Sequence, residues 1–158
     1  DNDLFDQIMD SLMKKIREFH YTIKGYDKAP SAVTKAKDNI KNANLDEYIT
    51  IEERNFFDTE KTSQGKLHIV FNPPYDERLD IHMEEFYKNI GDTLKKNYPG
   101  TNAWFITANL EALKFVGLKP SRKIKLFNAS LEARLVKYEM YEGSKRTKFQ
   151  IASDTDKE

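Results

Sequence analysis

The sequence predicts an α/β fold: an open, mostly parallel sheet with helices on both faces and an antiparallel hairpin at its C-terminal edge. Three observations carry this. Short β-branched or aromatic runs alternate with segments of helical period through most of the chain. One run, Leu67-His68-Ile69-Val70-Phe71, is apolar without a polar face, the pattern of a buried parallel strand. The last two runs are joined only by the tight turn Asn128-Ala129-Ser130.

In order along the chain, residues 3–19 space Leu4, Ile8, Leu12, Ile16 and Phe19 as an amphipathic helix does. Tyr21-Thr22-Ile23-Lys24-Gly25-Tyr26-Asp27 is a strand that ends on an acid. Pro30 lies in the first turn of a helix that continues through Val33, Ala36 and Ile40. Tyr48-Ile49-Thr50-Ile51 is a second strand, leading into Asn55-Phe56-Phe57-Asp58, and Thr62-Ser63-Gln64-Gly65 is a turn. After the apolar strand, in which His68 reads as a packed core residue, residues 83–98 are helical until Pro99-Gly100 stops them. Trp104-Phe105-Ile106-Thr107 is a strand, and residues 110–116 are a short helix with Gly117 placed to cap it. Residues 123–127 and 131–141 form the hairpin. Residues 1–143 are expected to be part of one catalytic domain, and the polar residues 144–158 a frayed tail.

The chain has 158 residues, 39% of them hydrophobic, enough for a domain with a core. No apolar run approaches the ~20 residues of a membrane span. The first residues show no signal peptide. With no cysteine, disulfides and thiolate metal sites are excluded, and a cytoplasmic location is expected. No histidine pair has ligand spacing, so no metal is expected. The charge balance is 26 basic against 26 acidic residues. A domain that grips nucleic acid alone usually carries a basic excess, so any such grip is expected from another domain.

The chemistry centres on Asn72-Pro73-Pro74-Tyr75, directly after the apolar strand and therefore at the carboxyl edge of the sheet, where α/β folds bind ligands. Each proline fixes φ and removes a donor, giving a stiff loop rich in acceptors. An exocyclic base amine needs such acceptors. Hydrogen bonds from its N–H groups to the Asn72 side-chain oxygen and the Pro73 carbonyl help localise its lone pair for in-line attack on a sulfonium methyl. Tyr75 offers a face on which an extruded base can stack. The bland alternative is a Pro-Pro turn capped by Asn72, and the buried strand before it argues for catalysis.

Asp27 is placed to accept the hydroxyls of a ribose, or else serves as an acid at a helix N-terminus. Asn55 can meet an adenine amine with Phe56 against the ring, Asp58 being the competing candidate; alternatively the two aromatics are core. Arg78 can contact substrate phosphate or pair with Glu77 or Asp80. Lys119, Arg122, Lys123 and Lys125 make a modest basic cluster, read as a solvated face rather than a nucleic-acid contact.

The strand pattern with its terminal hairpin is characteristic of the class I methyltransferase sheet. The strings Asn72-Pro73-Pro74-Tyr75-Asp76-Glu77-Arg78-Leu79, Gly91-Asp92-Thr93-Leu94-Lys95-Lys96, Gly117-Leu118-Lys119-Pro120-Ser121 and Leu131-Glu132-Ala133-Arg134-Leu135 resemble the THUMP-containing 23S rRNA guanine methyltransferases, whose members are often labelled adenine-specific DNA methylases. The resemblance implies S-adenosylmethionine as cofactor, guanine in 23S rRNA as substrate and an upstream THUMP domain that supplies RNA affinity. It assigns Asp27 to the ribose, Asn55 to the adenine side and residues 72–75 to catalysis. Three departures stand out. Asp76 replaces a usual glycine, Asn55 replaces a usual acid, and the glycine-rich first strand and loop that cradle the cofactor's methionine half are missing. The sheet is therefore expected to have a gap, and these residues alone to bind cofactor weakly. A DNA adenine methyltransferase is the second enzyme reading, and a non-catalytic RNA-binding or scaffolding module the reading from another class. A nicotinamide enzyme fits less well, because no Gly-x-Gly-x-x-Gly is present.

Overall fold

A computed structural model describes residues 2–74, 83–128 and 130–142. They fall into two compact units, Asp1–Phe56 and Phe57–Glu158. Among the described residues no helix is long and apolar enough to cross a membrane.

The first unit contains α1 (Asn2–Met13), β1 (Ile23–Asp27), α2 (Pro30–Asn42) and β2 (Ile49–Glu53). Strands β1 and β2 pair in parallel, Ile23 opposite Ile49 and Asp27 opposite Glu53. Pro30 starts α2, as its fixed φ favours. The helix ends through Asn44 at φ 54°, with the Leu45 N–H donating to the Ile40 carbonyl 3.0 Å away, so orphan carbonyls of the last turn are satisfied. Among the described residues of this unit, Val33 on α2 is the buried hydrophobic one.

Helix α1 is shorter than its apolar spacing suggests. The hydrogen bonds tighten past Met13, Lys15 N–H reaching Leu12 and Ile16 N–H reaching Met13. Phe19 leaves the helical period altogether and packs edge-on against Tyr21 and Tyr48, at 5.6 and 5.8 Å between ring centroids. Aromatic packing here outweighs helical continuation.

The second unit contains β3 (Leu67–Phe71), α3 (Met83–Asn97), β4 (Thr101–Thr107), β5 (Arg122–Asn128) and β6 (Leu131–Glu139), with 3₁₀ turns at Phe56–Asp58, which straddles the unit boundary, and at Ala112–Val116. Its sheet has the order β3-β4-β6-β5. Strands β3 and β4 are parallel, while β6 runs antiparallel to both β4 and β5. The described strands thus form a two-stranded sheet in the first unit and a four-stranded sheet in the second.

One stripe of α3, made of Tyr87, Ile90, Gly91 and Leu94, is buried at the spacing of a single helical face. Its fit against the following 3₁₀ turn depends on Gly91: a Cβ there would stand 1.8 Å from the Val116 carbonyl oxygen. Gly117 then closes that turn at φ 64°, a conformation that suits glycine. Beneath α3, Phe105 stacks on Tyr138 at 5.6 Å and meets Phe71 at 5.0 Å and Tyr87 at 6.2 Å. These rings form the centre of the core.

The apolar β3 strand is not buried on both faces. Leu67, Ile69 and Phe71 are half-buried, but Val70 is 76% exposed and His68 is exposed too. His68 is therefore not a core residue among the described atoms. The cause is one-sided cover, since Phe71 faces the aromatic core and its neighbours in the strand alternate away from it. The proposed tail of residues 144–158 lies outside the described residues.

Candidate active site

Both parallel strand pairs bring polar residues to their carboxyl ends. In the first unit, Asp27 ends β1 and is exposed. Its Oδ1 accepts the Ala29 N–H at 2.8 Å, so the carboxylate braces the entry to α2. Its backbone carbonyl accepts the Arg54 N–H at 2.9 Å, which ties the end of β1 to the residue before Asn55. Asp27 and the exposed Asn55 thus lie at the same end of one parallel pair, followed by the half-buried Phe56. Arg54 pairs with Glu52 at 2.9 Å and lies over the Tyr26 ring at 5.6 Å.

In the second unit, Asn72 leaves the end of β3 exposed, Pro73 is buried and Pro74 half-buried. The root of this loop is anchored by Phe71 against Phe105. Asp58 belongs to this unit and is exposed in the 3₁₀ turn. That segment is held to the end of α3: the Tyr98 hydroxyl donates to Thr59 Oγ1 at 2.6 Å, and Asn97 Nδ2 donates to the Thr59 carbonyl at 2.9 Å. Tyr75 and Arg78 lie outside the described residues.

A second polar group at this edge escaped the sequence reasoning. Thr107 ends β4 with its hydroxyl fully buried, 2.6 Å from the Tyr87 hydroxyl and accepting the Asn109 N–H at 3.0 Å. Asn109 Oδ1 in turn accepts the Ala112 N–H at 3.0 Å. The chain Tyr87–Thr107–Asn109 fixes where the backbone leaves β4, next to the strand that carries Asn72. An Asn three residues before a short helical segment was the available signal.

Two further electrostatic features shape the unit. Glu132 is held below the usual carboxylate range by hydrogen bonds from Lys125 and Arg134, each at 2.6 Å. Burial pushes the Tyr138 hydroxyl up to about 12. Two hollows of the described surface lie elsewhere, one beside Asn2, Asp3, Leu4 and Gln7, the other beside Met83, Glu84, Glu85, Lys88 and Phe115. Neither touches the residues singled out above.

Comparison with known proteins agrees with this architecture. Ribosomal RNA large subunit methyltransferase K/L of Methylococcus capsulatus is 35% identical over 120 residues, covering 75% of this chain and 16% of the relative. The protein of the same name from Hahella chejuensis is 28% identical over 142 residues, covering 87% of this chain and 20% of the relative. The crystal structure of a possible methylase from Clostridium difficile 630 superposes with a TM-score of 0.76 at 26% identity, covering 92% of this chain and 39% of that one. The chain therefore spans a fifth or less of these two curated relatives' length. Residues 4–137 match the model of the UPF0020 family, and the chain belongs to that family of RMKL-like methyltransferase domains.

Proposed function

We propose that this chain is the catalytic part of an S-adenosylmethionine-dependent methyltransferase acting on a guanine exocyclic amine in 23S rRNA, with Asn72, Pro73, Pro74 and Tyr75 as its catalytic loop. The observation that carries the reading is the position of Asn72. It stands exposed at the carboxyl end of a parallel strand, on a loop braced by the buried Pro73 and by Phe71 against Phe105. The relatives' names point to rRNA, and a cytoplasmic location follows from such a substrate. An upstream THUMP domain in the whole polypeptide would supply RNA affinity that a chain of zero net charge does not provide broadly.

The residues fit the adenosine half of the cofactor. Asp27 has one carboxylate oxygen engaged by Ala29, leaving the other to accept ribose hydroxyls. Asn55 and Phe56 follow at the neighbouring strand end for the adenine, with Asp58 as the alternative polar contact. When bound, S-adenosylmethionine supplies an electrophilic methyl group. The protein's part is positional. Asn72 Oδ1 and the Pro73 carbonyl accept the amine's hydrogen bonds and direct its lone pair, Tyr75 supports the extruded base, and Arg78 meets substrate phosphate.

The test is methyl transfer at saturating S-adenosylmethionine to rRNA and, separately, to DNA, with digestion to nucleosides and mass spectrometry. N-methylated guanine from rRNA is expected, and Asn72→Ala should lower its yield about 100-fold or more. Methylated adenine from DNA would instead establish the DNA reading, and no methylated base from either would favour a non-catalytic module.

A further inference from the structure

The sheet register gives the β5–β6 hairpin a position that the catalytic reading leaves unused. The last pair between β4 and β6 is Thr107 with Arg134. Beyond it, Ala133, Glu132 and Leu131 continue to pair with Leu126, Phe127 and Asn128. At about 3.3 Å per residue, the hairpin rises roughly 10 Å past the carboxyl end of β4. It does so on the edge of the sheet from which Asn72 emerges. Strands β5 and β3 are separated by β6 and β4, so at about 4.8 Å per strand the hairpin stands some 14 Å to the side of the catalytic loop.

The chemistry of this wall is uneven for a chain of zero net charge. Between Glu111 and Glu132 the sequence holds five basic residues, Lys114, Lys119, Arg122, Lys123 and Lys125, and no acid. The nearby carboxylates are already committed. Glu111 pairs with Lys114, Glu132 takes both Lys125 and Arg134, and Glu139 takes Lys137. Among the described residues, Lys119, Arg122 and Lys123 make no ion pair, and all three are exposed. On the same face of β5 as Lys123, Phe127 is 63% exposed and carries the Lys125 ammonium 5.1 Å from its ring centre. No packing need in the described structure explains an exposed phenylalanine near a hairpin tip. Lys123, four residues before Phe127 on the same face of β5, has no ion pair among the described residues, while Arg122 lies on the other face. An exposed ring with an unpaired cation along the same strand face is what a single-stranded nucleic acid requires: a stacking platform and phosphate neutralisation.

We propose that the β5–β6 hairpin is a docking wall for single-stranded RNA, on which Phe127 stacks a base flanking the methylation target while Lys123, on the same strand face, and Lys119, just before β5, hold phosphates farther along the RNA. This rests on the reading of the substrate as RNA and adds the surface that receives it. The basic cluster is then more than a solvated face.

The experiment is fluorescence anisotropy of a labelled single-stranded RNA oligonucleotide titrated with the 158-residue chain across a range of salt concentrations, with no cofactor present. Replacing Lys119 and Lys123 together by Gln should flatten the slope of log K against log salt by about 1.4, at about 0.7 per phosphate contact. Phe127→Ala should weaken binding about 10-fold at unchanged slope, and Phe127→Tyr should restore it. Both lysines and Phe127 are exposed, so unchanged melting temperatures separate these effects from misfolding. Binding indifferent to both variants, no binding at low salt, or preference for DNA of the same sequence would overturn the assignment. A failure of methyl transfer would leave this readout untouched, because no methyl donor takes part in it.

Discussion

The two units share a strand-end chemistry but not a core. In Phe57–Glu158, α3 packs on the 3₁₀ turn and sets Tyr87 on β4, where the rings of Phe71, Tyr87, Phe105 and Tyr138 meet. In Asp1–Phe56, two parallel strands and α2 bury Val33, while the apolar stripe of α1, from Leu4 to Met13, is exposed throughout. Parallel strands are found almost always with both faces covered, and a two-stranded parallel ladder cannot cover itself. The second unit therefore holds a core of its own, and the first carries Asp27 and Asn55, the residues proposed for the cofactor, on a framework whose described apolar side chains are mostly exposed. The proposed cofactor-side residues and the proposed catalytic loop thus rest on very different amounts of packing.

The sharpest way to break this contrast is to damage the better-packed unit. Gly91→Ala places a methyl against the Val116 carbonyl and should cost about 3 kcal/mol in chemical denaturation, more than a helical Gly→Ala change gains. A stabilised variant would mean that α3 does not press on the 3₁₀ turn in solution.

A smaller effect concerns Tyr138, whose hydroxyl is buried without a hydrogen-bond partner among the described residues. Burial favours its neutral form and lifts its pKa to about 12, above the usual 10. The associated stability is intact below pH ~10 and is lost as pH rises from there towards about 12, up to about 2 kcal/mol. Tyr138→Phe should remove this alkaline loss and leave neutral stability equal or slightly higher. Parallel alkaline unfolding curves for the two proteins would show that the ring is wetted.

The smallest effect belongs to the first unit. Leu12→Ala, at a residue 53% exposed, should change stability by no more than about 0.5 kcal/mol. A loss above about 2 kcal/mol, as for a core leucine, would erase the contrast by showing the α1 stripe covered in solution.

What the sequence made legible follows from where local signals govern. The apolar run 67–71 marked β3 to the residue, and Pro30, Gly117 and Pro99-Gly100 marked their turns, because proline and glycine act through their own backbone preferences. The loop after β3 was legible for the same reason. Burial was not. An apolar run reports the composition of a strand, whereas the exposure of His68 and Val70 depends on what lies over that face. Phe19 was misread as helical because a period cannot show that two tyrosines compete for the ring. The Tyr87–Thr107 bond joins residues twenty positions apart, and no local pattern announces it.

The edges of the four-stranded sheet carry one more consequence. Strand β5 presents Arg122, Lys123 and Lys125, charges of the kind that discourage another chain from adding itself to a sheet. Strand β3, at the opposite edge, offers Leu67, His68, Ile69 and Val70 without a formal charge. Any added strand is expected along β3 rather than the hairpin, and Val70→Lys should then reduce self-association at high concentration, as measured by light scattering.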